Sequence, residues 1–143
     1  MAHSRQIAAI MFTDIVGYTA LMGKDEQLAF DTLYRNRQLQ KSAIDKHNGK
    51  WIKELGDGIL CSFSTATDAV LCASEIQNTC NGDCEFKLRI GIHLGEVIFE
   101  NEDVFGEGVN IASRLQTITP IGGIWVSEAV QRNVSNKKGI AIK

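Results

Sequence analysis

The sequence predicts an α+β domain: a mixed, mainly antiparallel sheet with helices packed on it, in a ferredoxin-like arrangement. Three observations lead there. Apolar runs of strand length alternate with helical stretches along the 143 residues. Several strand runs are joined by tight turns, so they read as hairpins and not as parallel βαβ units. A composition of 44% hydrophobic and 22% charged residues fits one globular domain, 1–143, with a single core.

Ile7 to Phe12 is a continuous apolar run ending at Thr13-Asp14, with Gly17 following. Lys24 to His47 is helical, with Leu28, Phe30, Leu33, Tyr34 and Ile44 among polar residues, and Asn48-Gly49 stops it. Trp51–Leu55 and Ile59–Phe63 form a hairpin around Gly56-Asp57-Gly58. Thr65 and Asp68 have capping-box spacing before the stripe Ala69, Cys72, Ala73 and Ile76. Phe86 to His93 alternates as a strand, and Glu96 to Phe99, after Gly95, is expected to be its hairpin partner. Gly108–Ile118 is helical, Ile124–Val126 is a short strand, and Ser127 caps a helix through Val134.

A formal net charge of −2 gives no electrostatic footprint for nucleic acid or an anionic membrane. No apolar run approaches the roughly 20 residues of a membrane span, and the start has no signal-peptide pattern. The expectation is a cytoplasmic domain without nucleic-acid or membrane contact. Of the four cysteines, Cys61 and Cys72 fall at core positions, while Cys80 and Cys84 fall in an Asn/Gly/Asp loop. No further Cys or His pair completes a zinc set there, so free thiols are preferred to a metal or disulfide.

Asp14 ends an apolar strand, and Asp57 lies at a hairpin tip between two glycines. If the first strand pairs beside that hairpin, both carboxylates meet at one sheet edge. Two hard oxygen donors, completed by water and substrate phosphates, suit Mg²⁺ or Mn²⁺. Taken singly, each Asp is more often structural, as a cap or a turn residue, than catalytic. Asn110 and Arg114, four apart, place an amide and a guanidinium on one helix face. A guanidinium suits charge developing on a transferring phosphoryl group, although a helical Arg is commonly a surface ion pair.

Phe12-Thr-Asp14-Ile-Val-Gly-Tyr-Thr19 resembles the opening motif of the class III adenylyl and guanylyl cyclases. Lys53-Glu-Leu-Gly-Asp57-Gly58 resembles their second motif, and Asp103-Val-Phe-Gly-Glu-Gly-Val-Asn110-Ile-Ala-Ser-Arg114 their third. The likeness covers essentially the whole chain. It implies that Asp14 and Asp57, assisted by the Ile15 carbonyl, hold two divalent ions, Mg²⁺ or Mn²⁺. The turn Val16, Gly17, Tyr18, Thr19 would cradle a triphosphate. Lys53 and Asp103 would read the base, Asn110 would orient the ribose and Arg114 would stabilise the transition state.

Lys and Asp complement the ring-nitrogen acceptor and amine donor of adenine, which points to ATP as the substrate and cyclic AMP as the product. The likeness also implies a homodimer with each site shared between subunits, and a role in signal transduction under regulatory modules elsewhere in a longer protein. Family domains continue with a C-terminal hairpin bearing a basic residue; here the chain ends at Ile140–Lys143, so a truncated hairpin and a fragment are expected. Lys137, Lys138 and Lys143 lie near its place. The alternatives are a guanylate cyclase, disfavoured by Lys53 and Asp103, and a non-catalytic nucleotide-binding cyclase homology domain. A palm-type polymerase or diguanylate cyclase would share the carboxylates but has no place for the Asn110/Arg114 helix.

Overall fold

The computed structural model describes residues 3–82 and 84–137. The element order is β1 (His3–Ile15), α1 (Tyr18–Lys24), α2 (Glu26–Lys46), β2 (Lys50–Leu55), β3 (Gly58–Phe63) and α3 (Ala66–Gly82). It continues with β4 (Leu88–Glu100), β5 (Asp103–Phe105), α4 (Glu107–Ile118), β6 (Ile124–Val126) and α5 (Glu128–Val134). The strands lie in the order β2-β3-β1-β4-β5, all antiparallel, and β6 joins β4 in parallel. The α+β, mainly antiparallel architecture expected from the sequence is the one observed.

Because side chains alternate across a strand, β1 feeds two cores. Ala9, Met11 and Ile15 pack with Ile44 of α2, Ile76 of α3 and Val130 of α5. Ala8 and Ile10 face the other way, against Leu60, Val97, Val104 and Ala112 of α4. Each fully buried aliphatic side chain contributes about 1.5–3 kcal/mol relative to exposure. The sheet is therefore a filling between a three-helix layer and the single helix α4.

Four local expectations are corrected. Gly95 is not a turn: β4 runs unbroken from Leu88 to Glu100, and its hairpin partner is β5. A Cβ at Gly95 would sit 2.6 Å from His93 Nε2, so the glycine makes room for a ring lying over it. The real turn is Asn101-Glu102, both at positive φ (52° and 64°), the geometry that two-residue hairpin loops require. Second, the helix expected over Lys24–His47 is observed as α2, beginning two residues later at Glu26, and the short α1 ahead of it is an addition to the expected elements. Asp25 stands at φ −150° between α1 and α2 and caps the second by accepting from the Leu28 N–H at 3.1 Å.

Third, Ser127 precedes α5, but its hydroxyl makes no cap bond; it pairs with His93 Nδ1 at 2.8 Å. Fourth, Cys80 is in α3 and fully buried, not in a loop, with its thiol pushed up to about 12 by burial first and then by Cys84. The expected truncated hairpin, with Lys138 and Lys143, falls outside the described residues. Lys137 is described, exposed, and donates its N–H to the Val134 carbonyl at 3.0 Å. Among the described residues no helix is long and apolar enough to cross a membrane.

α4 approaches β4 closely at Gly91, where an added Cβ would lie 2.4 Å from the Gln116 nitrogen and 2.8 Å from the Ala112 carbonyl oxygen. Those are backbone atoms and have nowhere to move. Gly91→Ala is expected to lower stability by about 1–3 kcal/mol, read from urea unfolding midpoints.

Candidate active site

The end of β1 and the tip of the β2–β3 hairpin are brought together as the pairing of β1 with β3 requires. Thr13 lies opposite Ile59, and the chain then turns through Gly56-Asp57. Gly56 has φ 65°, the glycine-first pattern of a two-residue loop. Gly58 has a different reason: a Cβ there would be 3.2 Å from the Thr13 carbonyl oxygen. Asp57 then reaches across the gap and its Oδ2 accepts the Ile15 N–H at 3.0 Å. The hairpin tip is thus tied to the residue directly after Asp14.

Asp14 points to the α4 side of the sheet, the face opposite Thr13. On the α2 side, the Thr13 hydroxyl lies 2.9 Å from Gln40 Nε2, which also donates to Asn36 Oδ1 at 2.7 Å. All three residues are buried. A buried amide–hydroxyl chain with its members satisfied is rigid, so β1 is locked in register just before the carboxylate. On the other face Asp14 Oδ1 is buried with no hydrogen-bond partner. Burial pushes the Asp14 carboxyl up, with the Asp57 charge adding to the rise; the Gln116 amide and the Arg89 guanidinium oppose it.

An orphaned, buried carboxylate oxygen beside a second carboxylate is the donor set a hard divalent cation takes, with water and phosphate completing the shell. Among the described residues no cluster of three or more His, Cys, Asp or Glu converges on a cation position, so the protein offers a pair. Mg²⁺ characteristically binds through one or two carboxylates. The residues fit the group.

Val16 does not join an anion cradle through its amide, which donates to the Lys87 carbonyl at 2.9 Å. Gly17, at φ 74°, opens α1, and Tyr18 and Thr19 form its first turn, where N–H groups lack intrahelical acceptors. The Tyr18 phenol is pushed up by burial and by the nearby Asp57 charge.

Lys53 reaches the same face as Asp14 because of a β-bulge. Trp51 pairs with Cys61, but Lys53 pairs with Leu60, leaving Ile52 as the extra residue. Without it, Lys53 would oppose Ile59 and point into the three-helix core. Bulges re-aim side chains in this way. So placed, Lys53 Nζ donates to Asp103 Oδ2 at 3.0 Å, while Asp103 Oδ1 accepts the Val104 N–H at 2.7 Å. The Lys53 bond first, then the Val104 N–H, hold the Asp103 carboxyl below its usual range.

Asn110 and Arg114 are both exposed on α4. Arg114 has no ion-pair partner among the described residues; it borders a shallow apolar cavity of about 450 Å³ with Ile111, Leu115 and Ile118. No hydrogen bond or ion pair among the described residues joins Asn110 or Arg114 to Asp14, Asp57, Lys53 or Asp103. The single chain therefore assembles three separate groups: the carboxylate pair, the Lys–Asp pair and the α4 pair. Sequence reasoning missed Gln116, Gln40 and Asn36. Gln116 could have been found as the polar member of the otherwise small stripe Gly108, Ala112, Gln116 on α4's buried face.

The chain matches the adenylate and guanylate cyclase catalytic domain family over residues 1–143 and belongs to it. It is 33% identical to a Rhizobium meliloti (strain 1021) protein named "Putative adenylate cyclase 3", over 95% of this chain and 24% of that protein. It is 31% identical to an adenylate cyclase of Streptomyces coelicolor, over 85% of this chain and 32% of that protein. The crystal structure of an adenylate/guanylate cyclase/hydrolase from Silicibacter pomeroyi superposes with a TM-score of 0.87 at 35% identity, covering 99% of this chain and 87% of that one. The chain spans about a quarter to a third of the two curated relatives' length.

The Lys53–Asp103 bond can be checked without any substrate. Asp103 lies below its ordinary value in the folded chain, so the bond's stabilisation is present above that value and fades as pH falls through the lowered one. In Lys53→Ala the Asp103 midpoint should rise towards the ordinary carboxylate value, read by carbon-detected NMR. An unchanged midpoint would assign the shift to the Val104 N–H alone.

Proposed function

We propose that this chain is the catalytic part of an adenylate cyclase, converting ATP to 3′,5′-cyclic AMP and pyrophosphate at sites shared between two copies. The carrying observation is the Lys53–Asp103 pair, pre-formed at 3.0 Å on the sheet face that also carries Asp14. Adenine presents an acceptor at N1 and a donor at N6. Lys53 donates to the first and Asp103 accepts from the second. Guanine presents a carbonyl and an N–H there, which would leave both side chains mismatched and partly buried.

Asp14 and Asp57, with the Ile15 carbonyl, would hold two divalent cations, Mg²⁺ or Mn²⁺, which when bound would supply charge neutralisation and acidify the ribose 3′-hydroxyl. That hydroxyl attacks the α-phosphorus as pyrophosphate leaves. The N–H groups of Gly17, Tyr18 and Thr19 face the triphosphate at the start of α1. Asn110 orients the ribose. Arg114 stabilises the charge that builds as pyrophosphate leaves, which its fixed planar fork of donors suits.

The two-copy arrangement is supported by what the monomer leaves unfinished. Arg114 is an exposed cation without an ion-pair partner among the described residues, set in apolar surroundings with Ile118 61% exposed. Phe105 and the hairpin residue Leu55 are similarly open. A twofold pairing would cover such surface and bring α4 of one copy to the carboxylates of the other.

Turnover with Mg²⁺ or Mn²⁺ should favour ATP over GTP. Because Asp57 also holds the Ile15 N–H, Asp57→Asn tests the charge while retaining an acceptor. It should abolish turnover with the fold intact. Arg114→Ala should cost about 10²–10³ in kcat. Mixing the two inactive proteins in equal amounts should restore roughly a quarter of wild-type turnover, from one intact site in half of the dimers. No recovery on mixing would sink the shared-site reading.

A further inference from the structure

Among the described residues three buried side-chain polar atoms lack a hydrogen-bond partner, Gln77 Oε1, Asp14 Oδ1 and Gln116 Nε2, and the last two are complementary. Asp14 Oδ1 is an acceptor without a donor; Gln116 Nε2 is a donor without an acceptor. Gln116 is 9% exposed, and an amide at that depth with an unused N–H is costly. Its location is over-determined by packing. The Gln116 backbone nitrogen rests directly over Gly91, and Thr119, in the same chain segment, donates its hydroxyl to the Ile90 carbonyl at 3.3 Å. Gly91 pairs with Phe12 and Arg89 with Asp14. The Gln116 side chain thus emerges from α4 onto the face of β1 that carries Asp14.

We propose that Gln116 is a positioning residue for Asp14: its Nε2–H, unbonded in this structure, takes one carboxylate oxygen when a divalent cation takes the rest of the carboxyl, and so fixes the group's rotation. The assignment rests on Asp14 being a cation ligand, as argued above. It adds a residue outside the three motifs, held by α4 and not by β1. Groups that hold a metal-binding carboxylate from behind typically change metal affinity by 10–100-fold when removed. Methionine is the informative replacement, since it retains the length and bulk of glutamine and removes the amide. An amide serving only the fold would, on the same replacement, lower the melting temperature and leave cation affinity where it was.

The test is Mn²⁺ binding by electron paramagnetic resonance on wild type, Gln116→Met and Asp57→Asn, each alongside a melting curve. Gln116→Met should raise the Mn²⁺ Kd about 10–100-fold. An unchanged Kd in folded Gln116→Met overturns the positioning role and leaves the cation reading intact. A wild type that binds no better than Asp57→Asn overturns both. Should Gln116→Met fail to fold, the wild-type chain answers by itself. The Gln116 side-chain NH₂ resonance should shift on Mg²⁺ titration, and a resonance that stays still while the Asp14 carboxyl signal moves overturns the proposal.

Discussion

The hydrogen bond from the Ile15 N–H to Asp57 Oδ2, 3.0 Å long, is what ties a strand end to a hairpin tip and keeps two carboxylates together. Both carboxylates sit where backbone geometry is least constrained, one at a strand end and one at a hairpin tip. Two like charges there would separate if nothing held them. The bond spends part of the Asp57 charge on fixing β1, so position and electrostatics come from the same atom. On the three-helix face, Thr13, Gln40 and Asn36 immobilise the preceding residue through buried, mutually satisfied groups. Asp14 is left as the element whose bonding is incomplete, which is the condition for a group that binds something else.

The Lys53 position rests on a different device. A regular β2 would carry its lysine into the hydrophobic layer of α2, α3 and α5, where an unpaired ammonium is prohibitive. One inserted residue, Ile52, reverses the alternation, and the ammonium finds Asp103. The pair is more than a surface ion pair in geometry, since Asp103 is gripped at both oxygens. Yet Lys53 is 40% exposed, so its net worth to stability is small. A well-defined geometry that adds little stability is better suited to recognition than to holding the fold.

Much of this was legible in the sequence because it is local. The strand β1, the Gly56-Asp57-Gly58 tip and the i, i+4 spacing of Asn110 and Arg114 depend on neighbours a few residues away. Gly95 misled for an instructive reason: glycine reads as a turn, whereas here it accommodates the His93 ring from within one strand. Helix α1 went unread because its 7 residues are too few to show a periodicity, whereas α2 was legible up to its Asp25 cap. The bulge at Ile52, the Gln40–Thr13 chain and the Gln116 approach are all non-local. They arise from register and helix docking, which no spacing rule contains.

Helix α4 carries the remaining constraint. Its buried face is nearly all small residues, Gly108 and Ala112, because β4 approaches it at Gly91 with no room for a side chain. Such close packing leaves α4 little freedom to slide or rotate. Gln116 faces inward from this helix, and Arg114, two residues earlier, faces outward, so the orientation of one fixes the other. Under the two-copy reading these residues address different sites, Gln116 the carboxylates of its own chain and Arg114 those of the partner. The narrow seat at Gly91 would then set the geometry of both sites at once.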